Sequence, residues 1–172
     1  LTLVALERMD LLDERLEKRR MSEELDLARR IQEQLIPNPI PQTPELQVAA
    51  INIPSKEVGG DYLDVLQTPD SNLIYAIGDV SGKGVPAALL MASLQAMIHI
   101  LLPVEITLDE AMGRINELIY QNTPSDKFIT FFLGKYHKDT SQFLYVNAGH
   151  NAPILLRDGQ EQSVELSQGG ML

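Results

Sequence analysis

Three prolines at alternate positions, in Pro37-Asn38-Pro39-Ile40-Pro41, divide this chain into two parts that must fold differently. Each proline lacks a backbone donor and drives the residue before it toward extended geometry, so neither a helix nor a central strand runs through them. Before this spacer, residues 1–35 contain no Gly or Pro and read as one long helix. Ala5, Met9, Leu12 and Leu16 have the spacing of a coiled-coil seam, and a second seam follows at Met21, Leu25, Ala28 and Leu35. The two are out of register across Glu17–Glu24, so the stripe rotates or the helix breaks there. Residues 1–36 are expected to be a linker helix. Self-association is favoured over packing on its own domain, because the seam would otherwise stay exposed.

The part after the spacer is a different kind of object. The first 35 residues hold 7 of the 14 basic and 9 of the 24 acidic side chains, which leaves the remaining 137 with a net charge of −8 of the total −10. Such acidity excludes a generic nucleic-acid or anionic-membrane binder, which needs surplus Lys and Arg. The absence of Cys excludes disulfides, thiolate zinc sites and a Cys nucleophile. No apolar run approaches the roughly 18 residues of a membrane span, and the apolar start is broken at once by Glu7, Arg8 and Asp10, so no secretory signal is read. The expectation is a cytoplasmic protein with its folded domain at 37–172.

Within that domain, extended segments are expected at 45–53, 61–67, 73–80, 129–137, 142–148 and 153–157, and helices at 85–102 and 107–122. Strands in consecutive runs with two helices between them imply an α+β layered fold. Helix 85–102 is apolar nearly all round and reads as a core helix, with Met91 and Met97 as packing.

Chemistry concentrates in Val58-Gly59-Gly60-Asp61-Tyr62-Leu63-Asp64 and Ile77-Gly78-Asp79-Val80-Ser81-Gly82-Lys83-Gly84. Between them lies the turn sequence Thr68-Pro69-Asp70-Ser71-Asn72. A hairpin centred on Asp70 places Asp61 directly opposite Asp79, with Cβ atoms roughly 4.5 to 5.5 Å apart. Leu63, Val65, Leu73, Tyr75 and Ile77 share their face, so two like charges sit at the rim of an apolar layer. A shared proton, the Lys83 ammonium or a divalent cation in an all-oxygen site would compensate them. Gly59, Gly60 and Gly78 weaken strands unless something approaches the backbone closely, which favours a ligand there. Asp64 falls on the opposite face and is expected to be structural or to support the site from behind.

Ser81-Gly82-Lys83-Gly84-Val85-Pro86 runs into a helix but lacks P-loop spacing and the Ser or Thr after its Lys, so an NTPase is rejected. A nucleophile elbow is also absent. His150, in the turn Asn147-Ala148-Gly149-His150, is a candidate general acid or hydrogen-bond partner, although a turn histidine is more often structural. His99 and His137 have no partner that the sequence names.

The succession Ile31-Gln32-x-x-Leu35-Ile36-Pro37, Val58-Gly59-Gly60-Asp61-Tyr62-x-Asp64, Gly78-Asp79-Val80-Ser81-Gly82-Lys83-Gly84-x-x-Ala87-Ala88, Phe128-Ile129-Thr130 and Asn147-Ala148-Gly149-His150 resembles the SpoIIE/RsbU-type branch of the metal-dependent PPM serine/threonine phosphatases. The resemblance implies a β-sandwich flanked by helices and two Mn²⁺ or Mg²⁺ ions that activate a water to attack phosphoserine or phosphothreonine. By position it makes Asp61, Asp79 and the Val80 carbonyl metal ligands, with Asp79 bridging. Gly60, Asp64, Gly78, Ser81, Gly82, Lys83, Asn147 and His150 become supporting residues. It implies a phosphorylated anti-sigma-factor antagonist as substrate and an upstream sensor joined through the helix. Family members continue beyond the glycines matching Gly169 and Gly170 with strands that supply another aspartate, so an incomplete carboxyl end is expected. A non-catalytic phosphoprotein-binding scaffold is the alternative.

Overall fold

The computed structural model describes residues 3–44, 46–54, 56–103, 106–162, 164 and 171–172. Gly169, Gly170 and the side chain of Ala5 lie outside the described set. Helix α1 (Leu3–Glu33) is followed by β1 (Asp61–Gln67), β2 (Leu73–Val80), α2 (Val85–Leu101), α3 (Leu108–Asn122), β3 (Ile129–His137), β4 (Gln142–Ala148), β5 (Leu155–Arg157) and β6 (Gln160–Gln162). Among the described residues, no helix is long and apolar enough to cross a membrane.

α1 is unbroken, which decides between the two expectations for the charged stretch Glu17–Glu24. It contains no helix breaker, and an Arg19–Glu23 ion pair at 3.0 Å spans the stretch at the i,i+4 spacing that helices favour. Met9, Leu12, Leu16 and Met21 are all more than half exposed, so the first seam is uncovered where described, whereas Leu25 and Ala28 of the second are partly buried and Leu35 packs against the core.

β1 to β4 form one antiparallel sheet in that order, and β5 and β6 form a separate hairpin. Alternation sorts the residues. Tyr62, Asp64, Ile74, Ala76, Val80, Ile129, Phe131 and Leu133 point to one face and are buried. On that face α2 packs through Ala87, Met91, Leu94 and Ile98, and α3 through Ala111, Met112, Ile115 and Ile119. α3 starts in a capping box, in which Thr107 Oγ1 accepts from the Glu110 N–H and the Glu110 carboxylate accepts from the Thr107 N–H. The other face carries an aromatic cluster, Tyr75, Phe132, Phe143 and Tyr145, with ring centroids 5.4 to 6.5 Å apart.

Two expectations need correction and a third is refined. Segment 45–53 is not a strand where described; Ile51 and Ile53 are exposed, and the Gln42 side chain bonds both the N–H and the C=O of Val48, groups a ladder would need. α2 packs on the sheet as the core helix expected, but its apolar surface is not covered all round. It meets the sheet on one side only, so Leu89 stays 64% and Ile100 71% exposed; hydrophobicity alone does not count the partners available. Strand 153–157 shortens to β5 and acquires β6, because Asp158 and Gly159 both take positive φ, the conformation that closes a two-residue hairpin.

The packing asymmetry of α2 is measurable. Ile98→Ala is expected to lower unfolding stability by about 2–5 kcal/mol, whereas Leu89→Ala, on the exposed side of the same helix, stays within about 0.5 kcal/mol in urea titration.

Candidate functional site

The hairpin register places the site. β1 and β2 pair with Asp61 opposite Asp79, and every pair down to Gln67 opposite Leu73 follows the same count. The turn locks that register. The Thr68 N–H donates to the Asn72 carbonyl at 2.9 Å, Thr68 Oγ1 donates to the Asp70 carboxylate, and Asn72 Oδ1 accepts from the Lys138 N–H at 3.0 Å. The bond from Thr68 foremost, and to a lesser degree one that Asn72 Nδ2 donates, hold the Asp70 pKa below the ordinary carboxylate value.

Across the sheet the row continues, since Asp79 pairs with Thr130 of β3. Thr130 Oγ1 lies 2.9 Å from His150 Nδ1. The His150 backbone is in turn held by Asn147, whose Oδ1 accepts from the His150 N–H at 2.8 Å and whose Nδ2 donates to its carbonyl at 3.0 Å. Asp61, Asp79, Thr130 and His150 therefore form one line across the end of three strands. Thr130 carried no role in the sequence reading; extending the strand count from β2 to β3 identifies it.

The row opens onto a cavity of about 400 Å³ lined by Val58, Gly59, Gly60, Ser81, Gly82, Lys83, Gly84 and Phe128 along with Asp61, Asp79, Val80 and Thr130. Gly60 is required there. A Cβ at this position would stand 2.9 Å from the Val80 carbonyl oxygen and 3.1 Å from the Ala87 methyl, inside the contact limit for both. Ser81 pins the loop to β3, donating its N–H to the Phe128 carbonyl and accepting the Phe128 N–H on Oγ, each at 2.9 Å. Gly78 is buried against the Phe131 ring, so the close approach it permits is to the core rather than to a ligand. Among the described residues, no group of three or more His, Cys, Asp or Glu side chains is placed to hold a metal ion; the site has two carboxylates.

Although both aspartates reach solvent, the surrounding protein displaces enough water to raise the Asp61 pKa above its ordinary value. The facing Asp79 charge adds to the rise, and His150 opposes it.

Asp64 lies on the helix-covered face as expected and is 2% exposed. Its Oδ2 accepts from the Tyr62 hydroxyl and contacts His99 Nε2, both at 2.7 Å, while Oδ1 accepts from the Val65 N–H at 2.8 Å. Burial and then the Asp64 charge push the Tyr62 pKa upward. His99 thus has a partner that the sequence did not name: it lies 35 residues along the chain, beyond β2, and meets Asp64 only through α2–sheet packing. A second cavity, of about 470 Å³, opens beside this pair and is bounded by the end of α1. His137 gains no comparable role.

The family model for stage II sporulation protein E (SpoIIE) matches residues 69–172. The chain belongs to the SpoIIE family. It is 34% identical over 149 residues to phosphoserine phosphatase RsbU of Bacillus subtilis, covering 87% of this chain and 44% of that protein. Protein IcfG of Synechocystis is 25% identical over 77% of this chain and 25% of its own length. The SpoIIE-type chain thus spans less than half the length of either curated relative. Among solved structures, a Mycobacterium tuberculosis protein with RsbU and RsbW domains superposes with a TM-score of 0.61 at 30% identity, covering 69% of this chain and 33% of that one. The SiaA-PP2C domain of Pseudomonas aeruginosa, at 18% identity and a TM-score of 0.60, covers 77% and 55% and shares the fold. The α+β, PP2C-like architecture expected from the sequence is the observed one.

Because the Asp61 pKa is raised in the folded state, folded protein holds more protons than unfolded protein between the ordinary carboxylate pKa and the raised one. Stability is lost as pH rises through that window. In chelator-treated protein, Asp61→Asn is expected to raise the melting temperature at pH 7, and the gain should disappear below about pH 4 in calorimetric scans.

Proposed function

We propose that this chain is the phosphatase domain of a signalling protein and removes phosphate from phosphoserine or phosphothreonine on a regulatory protein, the anti-sigma-factor antagonist type being the preferred substrate. The observation that carries this reading is the register pair Asp61 opposite Asp79 at the mouth of a glycine-lined cavity. Membership of the SpoIIE family and similarity to a protein named phosphoserine phosphatase support it. The donor set fits a hard divalent cation: two opposed carboxylates and the Val80 carbonyl are all oxygen, and their mutual repulsion is what such a cation relieves.

In this reading Asp61, Asp79 and the Val80 carbonyl hold Mn²⁺ or Mg²⁺, two ions in the complete site. When bound, the ions lower the pKa of a water and offset the charge that develops on the phosphoryl oxygens. The chain's own groups do the rest. Gly60 keeps the Val80 carbonyl uncovered, Lys83 lines the cavity as a cation toward an incoming phosphate, and the Ser81 bonds to Phe128 hold the loop that carries it. Asn147 fixes the turn so that His150 holds Thr130, the neighbour of Asp79. Asp64 supports β1 from the buried side.

A non-catalytic phosphoprotein-binding scaffold is the second reading, favoured by one observation: the described site has two carboxylates. Phosphate release from a phosphoserine peptide separates the two. Activity is expected to require Mn²⁺ or Mg²⁺, to vanish with chelator and to fall about a hundredfold or more in Asp79→Asn. Activity indifferent to both treatments would sink the metallophosphatase reading.

Residues 1–36 are proposed to be a separate linker that pairs with a second copy or with an upstream sensor, in a cytoplasmic setting. The uncovered stripe through Met9, Leu12 and Leu16 supports this. Sedimentation over a rising concentration series is expected to show a dimer that the double substitution Leu12→Glu, Leu16→Glu converts to monomer; a monomer throughout removes the self-association proposal.

A further inference from the structure

Gln32, in the last turns of α1, reaches the glycine pair in front of Asp61. Its Nε2 donates to the Gly59 carbonyl at 2.8 Å and its Oε1 accepts from the Gly59 N–H at 3.0 Å, across 27 residues of chain. A carboxamide carries the donor and the acceptor that match one residue's C=O and N–H, which belong to successive peptide units, so the side-chain orientation is fixed by the groups it faces. The same Nε2 lies 3.6 Å from Met91 Sδ, which is wholly buried on α2.

Gly59 needs such a partner. A Cβ there would meet its nearest neighbour, Pro54, only at an ordinary 3.7 Å, so the surroundings do not hold the backbone by crowding. Two consecutive glycines also have more backbone freedom to lose than any other pair. One residue later the situation reverses. Gly60 is pressed against Val80 and Ala87, and its carbonyl accepts the Val80 N–H at 3.3 Å. The segment entering β1 is therefore held twice: at Gly60 by β2 and α2, and at Gly59 by α1.

We infer that Gln32 is a positioning residue for the Asp61/Asp79 site: by clamping Gly59 it fixes where β1 begins and so where the Asp61 carboxylate stands relative to Asp79. The inference rests on the proposed metal site and adds a residue to it from outside the sheet. Gln32 touches neither substrate nor cation. It acts through two peptide units, and it is the point at which the position of α1 enters the site.

The experiment compares the 172-residue chain with Gln32→Met, which keeps length and loses both bonds, and Gln32→Glu, which keeps the acceptor and loses the donor. Two measurements are made on each: amide hydrogen exchange at Gly59, Gly60 and Asp61, and Mn²⁺ binding by titration calorimetry. In Gln32→Met, exchange at these amides is expected to speed up roughly five- to tenfold, while Leu94 and Ile98 stay unchanged. Mn²⁺ should bind about tenfold more weakly, as when an outer partner of a metal ligand is lost. Gln32→Glu is expected to fall between, and it carries the test if the methionine variant does not fold. Unchanged exchange at Gly59 overturns the clamp. Faster exchange with unchanged Mn²⁺ affinity makes Gln32 a tether without a positioning role and overturns the inference alone. A parent chain that takes up no Mn²⁺ removes the metal-site reading, and the assigned role falls with it.

Discussion

Two carboxylates held across one hydrogen-bonded strand pair repel each other, and much of the local structure exists to keep them there. Backbone pairing supplies the force, because the ladder from Asp61–Asp79 to Gln67–Leu73 cannot slip by one residue without turning Tyr62, Ile74 and Ala76 out of the core. The closed turn at Thr68–Asn72 fixes one end of the ladder, and the glycine approach at Gly60 fixes the other. Under the proposed metal-binding role, that repulsion is what favours binding, since a hard cation would remove an unfavourable term that the fold has already imposed.

The two aspartates of β1 show how strand alternation assigns different work to the same residue type. Asp61 faces outward across from another acid, and its charge is destabilised. Asp64, three positions on, points into the helix-covered side, where a tyrosine hydroxyl, a histidine and a backbone N–H satisfy it. A buried carboxylate with three partners is a structural element that joins β1 to α2. One faces an open cavity and the other faces the protein, and only the second has its charge satisfied by partners within the fold.

Most of the sheet and the central pair of the site were legible in the sequence because they depend on local rules. The prolines at 37, 39 and 41, the turn at 68–72 and the period-2 runs on either side together give the strand limits and the Asp61–Asp79 register by counting. What was not legible depended on which distant elements meet. Segment 45–53 has strand-like residues, but Gln42 captures its backbone at Val48. The exposure of Leu89 and Ile100 reflects how many layers cover α2, which its own hydrophobicity does not encode. His99 and Gln32 find Asp64 and Gly59 through helix packing, over separations of 35 and 27 residues. Thr130 is intermediate: a second strand count reaches it, but only if the β2–β3 pairing is known.

α1 extends well beyond the body it serves. From Gln32 back to Met9 is 23 residues, about 35 Å of rigid rod at the usual rise, and most of its side chains there are exposed. A rod seated at its last turn and free along its length works as a reducing lever. Displacement of several ångströms at the far end arrives at the Gly59 peptide as a fraction of an ångström, with force multiplied in proportion. If Asp61 and Asp79 hold a cation as proposed, their geometry is sensitive on that smaller scale, and the length of the helix would set how far a movement at its start is reduced on reaching them.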